Sequence, residues 1–286
     1  MIYSREEDCY IKDKPNKSLY FLYRTIPGRV ILKVAISKPV SKLGGLYMNS
    51  PFSKYKIKRF IKKNKINMDD YPKIKYKSFN QFFVREIMDG KRTFKGKKTD
   101  LLSPADSKVT AYTIDENTVL NVKNSKYTIA EIIKNKKIAE EYKNGLCLVF
   151  RLSVDDYHHY HFIDDGKIIE SHKIRGVLHT VNPITYKSHK VFSENAREYS
   201  ILETKTFGKV IQIEVGALMV GKIKNIPSIE NFKRGDEKGY FCFGGSTVIM
   251  LFKENTIKLD DDIVKNSKEN IETKVKLGEH IGIKIK

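Results

Sequence analysis

The sequence is poor in cysteine, in turn-forming residues and in long apolar runs. Its three cysteines, Cys9, Cys147 and Cys242, are widely separated and form no Cys-x-x-Cys pair. That excludes a disulfide framework and a cysteine-based zinc site, and it suits a reducing compartment. Glycine and proline number 17 and 8, too few for a low-complexity chain. The most apolar stretch near the N-terminus, Val30 to Ile36, is short and interrupted by Lys33. A membrane-spanning helix needs about 20 apolar residues, so any membrane contact is expected to be peripheral. Residues 1–18 are too polar for a signal peptide and read as a segment ordered only by docking. A hydrophobic content of 40% against 31% charged residues fits a folded protein rather than a disordered one.

Acidic residues are also scarce where basic ones are dense. The formal net charge is +20. Residues 1–100 hold 25 Lys or Arg against 9 Asp or Glu, a net of +16, which leaves +4 for the rest. Such asymmetry points the N-terminal third towards an anionic surface, either nucleic acid or lipid headgroups. The alternative is a solvated lysine-rich face with no partner.

Residues 19–66 read as helices broken at Pro27-Gly28, Gly44-Gly45 and Pro51. Within 54–66, Ile57, Phe60 and Ile61 fall at helical spacing among lysines and arginine. That pattern fits a basic helix lying in a membrane interface, and equally a surface helix packed on the core. Ser78-Phe79-Asn80-Gln81 reads as a capping box opening a short apolar helix through Phe82, Phe83 and Ile87. From about residue 100, short β-like runs dominate: 108–114, 118–122, 146–152, 167–179, 199–205, 209–215, 217–224, 240–243, 247–252 and 280–285. Helical exceptions are expected at 128–142 and 183–190. The fold class is therefore α+β: basic amphipathic helices over 1–77, then a β-rich domain over 78–286, sandwich- or barrel-like. One internal echo, K-x-G-[DE]-x-x-G, occurs at Lys233–Gly239 and again at Lys276–Gly282. Glycine at that spacing suits tight hairpin turns of the kind found in carrier-like β-domains.

Three segments carry candidate chemistry. Gly244-Gly245-Ser246-Thr247 opens an apolar strand, and a glycine carbonyl leaves room for an attacking hydroxyl. Three of the seven histidines, His158, His159 and His161, crowd into four positions. In a strand His159 and His161 share a face, and in a turn or helix His158 and His161 do. Histidine is the usual general base near neutral pH. The carboxylates nearby do not form a known zinc spacing, so no metal is expected. Asp106, after Ser103-Pro104-Ala105, could orient a histidine as the carboxylate of a Ser-His-Asp arrangement does.

Together these segments resemble the phosphatidylserine decarboxylase family. Ser103-Pro104-Ala105-Asp106 looks like its SPADG segment, and Asp156-Tyr157-His158-His159-Tyr160-His161 like its DYH-x-x-H segment. Phe192–Arg197, Val215–Gly221, Phe82–Arg85 and the Gly244–Thr247 stretch follow family motifs in family order along the chain. Ser107 replaces a common glycine, and Glu198 follows Arg197 where an apolar residue is common. The resemblance implies a proenzyme that cuts itself between Gly245 and Ser246, into a β chain 1–245 and an α chain 246–286. It implies a pyruvoyl cofactor formed on Ser246, and decarboxylation of phosphatidylserine through a Schiff base with that group. His161 and Asp106 would activate Ser246, with Asp106 fixing the imidazole tautomer, and His158 would donate the later proton. The implied partners are the lipid substrate, an anionic membrane surface on the cytoplasmic side of the cell membrane, and the two cleaved chains as a heterodimer, with further homo-oligomerisation open. Nucleic acid is not an expected partner. The rival readings are a pyruvoyl decarboxylase of a soluble amino acid and a basic nucleic-acid-binding protein; the latter leaves the serine, histidine and aspartate segments without a shared purpose.

Overall fold

The computed structural model describes residues 1–12, 17–122, 125–185, 189–217, 223–227, 229–244 and 246–285, without the side chains of residues 38, 39, 41 and 121. A ten-stranded sheet organises them. Across it run Asn231–Phe232, Gly166–Ile174, Arg197–Thr204, Gly208–Val215, Ser246–Phe252, Leu146–Leu152, Ser107–Thr113, Glu272–Val275, Ile2–Ser4 and Cys9–Ile11. Every pairing is antiparallel except that of Ile2–Ser4 with Glu272–Val275.

Both faces of the sheet centre are covered, which explains why Ser246–Phe252 is apolar throughout most of its length instead of alternating. All seven of its residues are buried. On one face Ile249 and Leu251 meet Ile211, Ile213 and the helix Ile129–Ile133. On the other, Val248 and Met250 meet Phe150, Phe241, Ile263 and Ile281.

Two three-stranded sheets pack at the latter side, and they repeat each other. One orders Ile223–Asn225, Glu237–Phe241 and His159–His161; the other orders Ile257–Leu259, His280–Lys284 and Asp100–Leu102. The sequence echo forms the turn entering the middle strand of each. Gly235 and Gly278 take φ of +89° and +77°. Gly235 donates its N–H to the Phe162 carbonyl and Gly278 donates to that of Ser103, both at 2.9 Å. Arg234 N–H donates to the Asp165 carboxylate at 3.0 Å, and Leu277 N–H to the Asp106 carboxylate at 2.7 Å. A β-bulge follows each turn, between Glu237 and Gly239 and between His280 and Gly282. The echo is thus one supersecondary unit used twice.

The α+β class stands, but the sheet is open and no closed barrel forms among the described residues. The N-terminal residues are not merely docked: Ile2–Ser4 and Cys9–Ile11 extend the main sheet, so the helical region begins at Lys17. Their strands exist through pairing with Glu272–Val275, which no local pattern reveals. The helix over 56–64 turns Ile57, Phe60 and Ile61 inward onto Phe79 and Phe82, so it is a surface helix packed on the core. The expected helix at 128–142 is two short helices, Ile129–Ile133 and Lys136–Glu140, broken where Lys134 adopts φ +56°. At 183–190 only a 3₁₀ turn, Pro183–Thr185, is formed among the described residues. The strand expected at 217–224 falls largely on residues 218–222, outside the described residues. The Ser78 cap forms, its hydroxyl accepting from Gln81 N–H at 3.2 Å, while the Gln81 carbonyl oxygen accepts from Lys77 N–H rather than from Ser78.

The glycine turns can be tested against a plain positive-φ glycine. Gly208 has φ +69° and open space where a methyl would stand, whereas a Cβ at Gly278 would stand 2.4 Å from the Thr93 carbonyl oxygen. Gly208→Ala should cost about 1–2 kcal/mol from backbone conformation alone. Gly278→Ala should cost clearly more, as read by urea denaturation of both variants.

Candidate active site

Ser246 is the first residue of the central strand and lies opposite Leu152. Its side chain is fully buried, and its Oγ has no hydrogen-bond partner among the described residues. An unpaired buried hydroxyl costs about 1–3 kcal/mol, so such an atom in a folded core invites a functional account. Gly245, on the other side of the expected cleavage point, lies outside the described residues. Gly244 has φ +142°, so the chain reaches the serine through backbone that glycine favours.

The three candidate segments converge by backbone pairing. Phe241 N–H, shortly before the serine, donates to the His158 carbonyl at 2.9 Å. His161 N–H donates to the Pro104 carbonyl at 2.9 Å, which places the Ser-Pro-Ala-Asp turn against the histidine strand. The helix Phe79–Phe83 closes the region. The Phe83 ring lies 4.1 Å from that of His158 and 5.1 Å from that of Phe243, and Phe243 N–H donates to Asn80 Oδ1.

His158 and His161 are prepared alike. The Nδ1 of His158 bonds the Asp156 carbonyl and that of His161 the Gly235 carbonyl, each at 2.9 Å. A carbonyl only accepts, so both Nδ1 atoms carry the proton and both Nε2 atoms present a lone pair. Neither Nε2 has a partner among the described residues. Burial pushes the His158 imidazole down to about 3, and it also holds His161 below the ordinary value. His159 differs: its Nδ1 faces Glu237 at 2.8 Å and its ring stacks on Tyr157 and Tyr240. The histidines therefore divide into two with an unpartnered lone pair and one fully engaged.

The expectation that Asp106 fixes the His161 tautomer does not hold. The Asp106 carboxylate is occupied by Arg92, whose Nε and Nη2 donate at 2.9 and 2.8 Å, and by Leu277 N–H. The Gly235 turn carbonyl holds the imidazole instead. Asp106 still acts on it through its charge, which favours the protonated ring.

Buried ion pairs brace the site, and the sequence reading missed them. Lys238 is the extra residue of the bulge between Glu237 and Gly239. The bulge turns its ammonium inward to Glu214, 2.8 Å away, and to Asn225. Glu214 lies opposite Val248, on the same face as Ser246. Lys108 donates to both oxygens of Asp156 at 2.7 and 2.6 Å, fixing the residue whose carbonyl holds His158. Arg151 pairs with Glu272 through two bonds. A signal was present: a charge within apolar strands, as in Ile213-Glu214-Val215, must find a partner.

The lowered imidazole of His158 gives a pH prediction. An unfolded histidine titrates near 6.5, whereas folded His158 stays neutral to about 3. Above pH 6.5 the two states carry the same charge. Below it the unfolded chain takes a proton that the folded one refuses, so stability falls as pH drops towards 3. The slope approaches about 1.4 kcal/mol per pH unit for each such histidine. His158→Gln, compared in an uncut Ser246→Ala chain so that unfolding is reversible, should flatten that slope by one proton's worth in urea unfolding between pH 6.5 and 4.

Comparison with known proteins shows the family. Residues 79–283 match the family described as phosphatidylserine decarboxylase. The chain is 55% identical over 284 residues to the phosphatidylserine decarboxylase proenzyme 2 of Clostridium acetobutylicum, covering 98% of this chain and 97% of that one. It is 43% identical to the phosphatidylserine decarboxylase proenzyme of Clostridium botulinum, over 99% of this chain and 98% of the relative. The corresponding proenzyme of Clostridium tetani is 41% identical, over 99% and 97%.

Proposed function

This chain belongs to the phosphatidylserine decarboxylase family, and on that premise we propose that it is a self-cleaving carboxy-lyase that converts phosphatidylserine to phosphatidylethanolamine and CO2. The observation that carries the proposal is that three buried atoms, Ser246 Oγ, His158 Nε2 and His161 Nε2, have no partner among the described residues, while the strand Glu237–Phe241, which leads into the serine, pairs with the histidine strand. A core with no use for these atoms would have satisfied them or replaced them.

Self-cleavage uses the chain's own groups. His161 Nε2, its lone pair free because the Gly235 carbonyl holds Nδ1–H, takes the proton of Ser246 Oγ. The oxygen attacks the Gly245 carbonyl carbon. The peptide bond to Ser246 nitrogen breaks, that nitrogen gains a proton, and an ester links the two parts. Removal of the Ser246 α-proton then breaks the ester C–O bond and frees the Gly245 carboxylate. The dehydroalanine left at 246 takes up water and loses ammonia, leaving a pyruvoyl group at the head of the α chain, 246–286, beside the β chain, 1–245. A buried residue 246 flanked by neutral imidazoles fits such a group, which supplies an electron sink for loss of CO2. His158 Nε2 delivers the proton to the former α-carbon. Its low basicity is a consequence of burial, and an anionic substrate alongside favours the protonated ring.

The membrane surface is assigned differently from the basic stretch at 54–65. Among the described residues no helix is long and apolar enough to cross a membrane. The helices Ile26–Ala35 and Lys38–Asn49 and the turn Pro51–Tyr55 instead expose large apolar side chains: Ile26 at 74%, Leu43 at 65%, Phe52 and Tyr55 at 77%. Arg29, Lys33, Lys42 and Lys54 lie among them. Together they suit shallow insertion into an anionic leaflet from the cytoplasmic side, each cation near the surface adding about 1 kcal/mol.

Ser246→Ala should give one uncut, inactive chain by intact mass, and His161→Ala and Asp106→Asn should also stay uncut. Appearance of a 246–286 fragment in Ser246→Ala would end the proposal.

A sedimentation assay separates the two membrane surfaces. Leu43→Ser combined with Phe52→Ser should cut binding to vesicles containing phosphatidylserine by about tenfold at physiological salt, with self-cleavage intact. Replacing Lys58, Lys62 and Lys63 by Gln should weaken binding chiefly at low salt, where the Debye length is long.

A further inference from the structure

His179, His189 and Glu194 take no part in the reaction above, and from their geometry we infer a site for one divalent cation of the zinc class. One donor atom from each lies within 4.8 Å of the others. His179 Nε2 is 4.0 Å from Glu194 Oε2, and His189 Nδ1 is 3.8 Å from the same oxygen. Those separations are too long for hydrogen bonds. They exceed the roughly 3.4 Å between two ligands of a tetrahedral zinc ion about 2.0–2.1 Å from each donor, so the donors surround the position of an ion and must each draw in by about half an ångström to bind it. The two imidazoles now stack at 4.0 Å with 22° between planes. Closing the set on an ion requires both the Glu194 carboxylate, 42% exposed, and the His189 ring, 30% exposed, to turn towards the buried His179. The resulting set, two histidines and one carboxylate, is a known zinc ligand combination and leaves a fourth position for water.

The surroundings hold the donors as a metal site requires. The main chain of His179 is clamped at both polar groups by Asn195: its N–H donates to Asn195 Oδ1 at 3.0 Å, and Asn195 Nδ2 donates to its carbonyl at 2.7 Å. Glu194 uses Oε1 to accept from Lys190 N–H, which leaves Oε2 for the ion. His179 Nδ1 faces the Tyr23 hydroxyl at 3.4 Å, and that oxygen already accepts from Thr180 N–H at 3.0 Å. With Nδ1–H turned to Tyr23 Oη, the Nε2 lone pair points at the carboxylate, and a hydrogen bond of this kind behind a ligand is what fixes a metal-binding tautomer. The charged groups nearby do not compete: Lys190 Nζ is directed to Glu131, and Arg24 to the Ile184 carbonyl.

The test uses the full chain, stripped with chelator and titrated with zinc chloride by calorimetry. One equivalent should bind per chain, with affinity falling at least about tenfold in His189→Ala and in Glu194→Gln. Both side chains are partly exposed, so the core survives their loss. The control His172→Ala with His280→Ala removes the other exposed histidines and should bind as the parent does. Cobalt chloride in place of zinc should give visible absorption bands that disappear in the same two variants. Absence of saturable binding, equal binding in His189→Ala and Glu194→Gln, or loss of binding in the control would each overturn the inference.

Discussion

The site depends on one turn. Gly235 at positive φ directs its carbonyl to His161 Nδ1 and its N–H to Phe162. Through the first bond it fixes which imidazole nitrogen is basic, and through the second it locks the turn to the end of the histidine strand. The bulge directly after it sends Lys238 inward to Glu214, on the sheet face shared with Ser246. A base, its tautomer and its position relative to the serine are therefore set by a few consecutive residues. An uncompensated charge at either end of the Lys238–Glu214 pair would be costly, because neither side chain reaches water. That cost holds the small sheet in one register against the large one.

The second copy of the same unit clarifies Asp106. In both copies an aspartate after the outer strand receives the N–H of the residue before the turn glycine: Asp165 from Arg234, Asp106 from Leu277. Asp165 is paired with exposed Lys205, whereas Asp106 is gripped by the half-buried fork of Arg92. The architectural duty is common to both, and the charge near His161 belongs to one. Serving both purposes explains how a residue that does not touch the imidazole still bears on its proton affinity.

Much of this was legible in the sequence, and the failures share a cause. Long apolar strands such as Leu146–Leu152 and Gly208–Val215 were visible because burial on both faces writes itself into composition. The Gly-Gly-Ser, histidine and Ser-Pro-Ala-Asp segments stood out as candidates because unusual residue types cluster there, and the fold brings them together. The strands Ile2–Ser4 and Glu272–Val275 were not visible, since they exist only through each other. The partner of Asp106 was hidden for the same reason: Arg92 and Leu277 are chosen by tertiary approach. The helix Lys56–Asn64 shows the limit of amphipathicity, which states that one face avoids water but not whether protein or lipid covers it. Its apolar face meets phenylalanines, while the less basic helices before it leave theirs uncovered.

The central position of Ser246–Phe252 has a consequence for the history of each molecule. The strand is inserted between Gly208–Val215 and Leu146–Leu152, both on the other side of the cut proposed between Gly245 and Ser246. Glu272–Val275 likewise lies between two strands of the longer piece, and His280–Lys284 pairs on one side with Asp100–Leu102. Folding must be finished while the chain is still continuous, because the interior strand has no open edge at which to join later. Once the bond is cut, the instructions for assembly are divided between two polypeptides, and regaining the native state becomes an encounter between an unfolded short fragment and a sheet missing its middle. The mature protein is then maintained by the height of its unfolding barrier, and a molecule that crosses that barrier is lost rather than recycled.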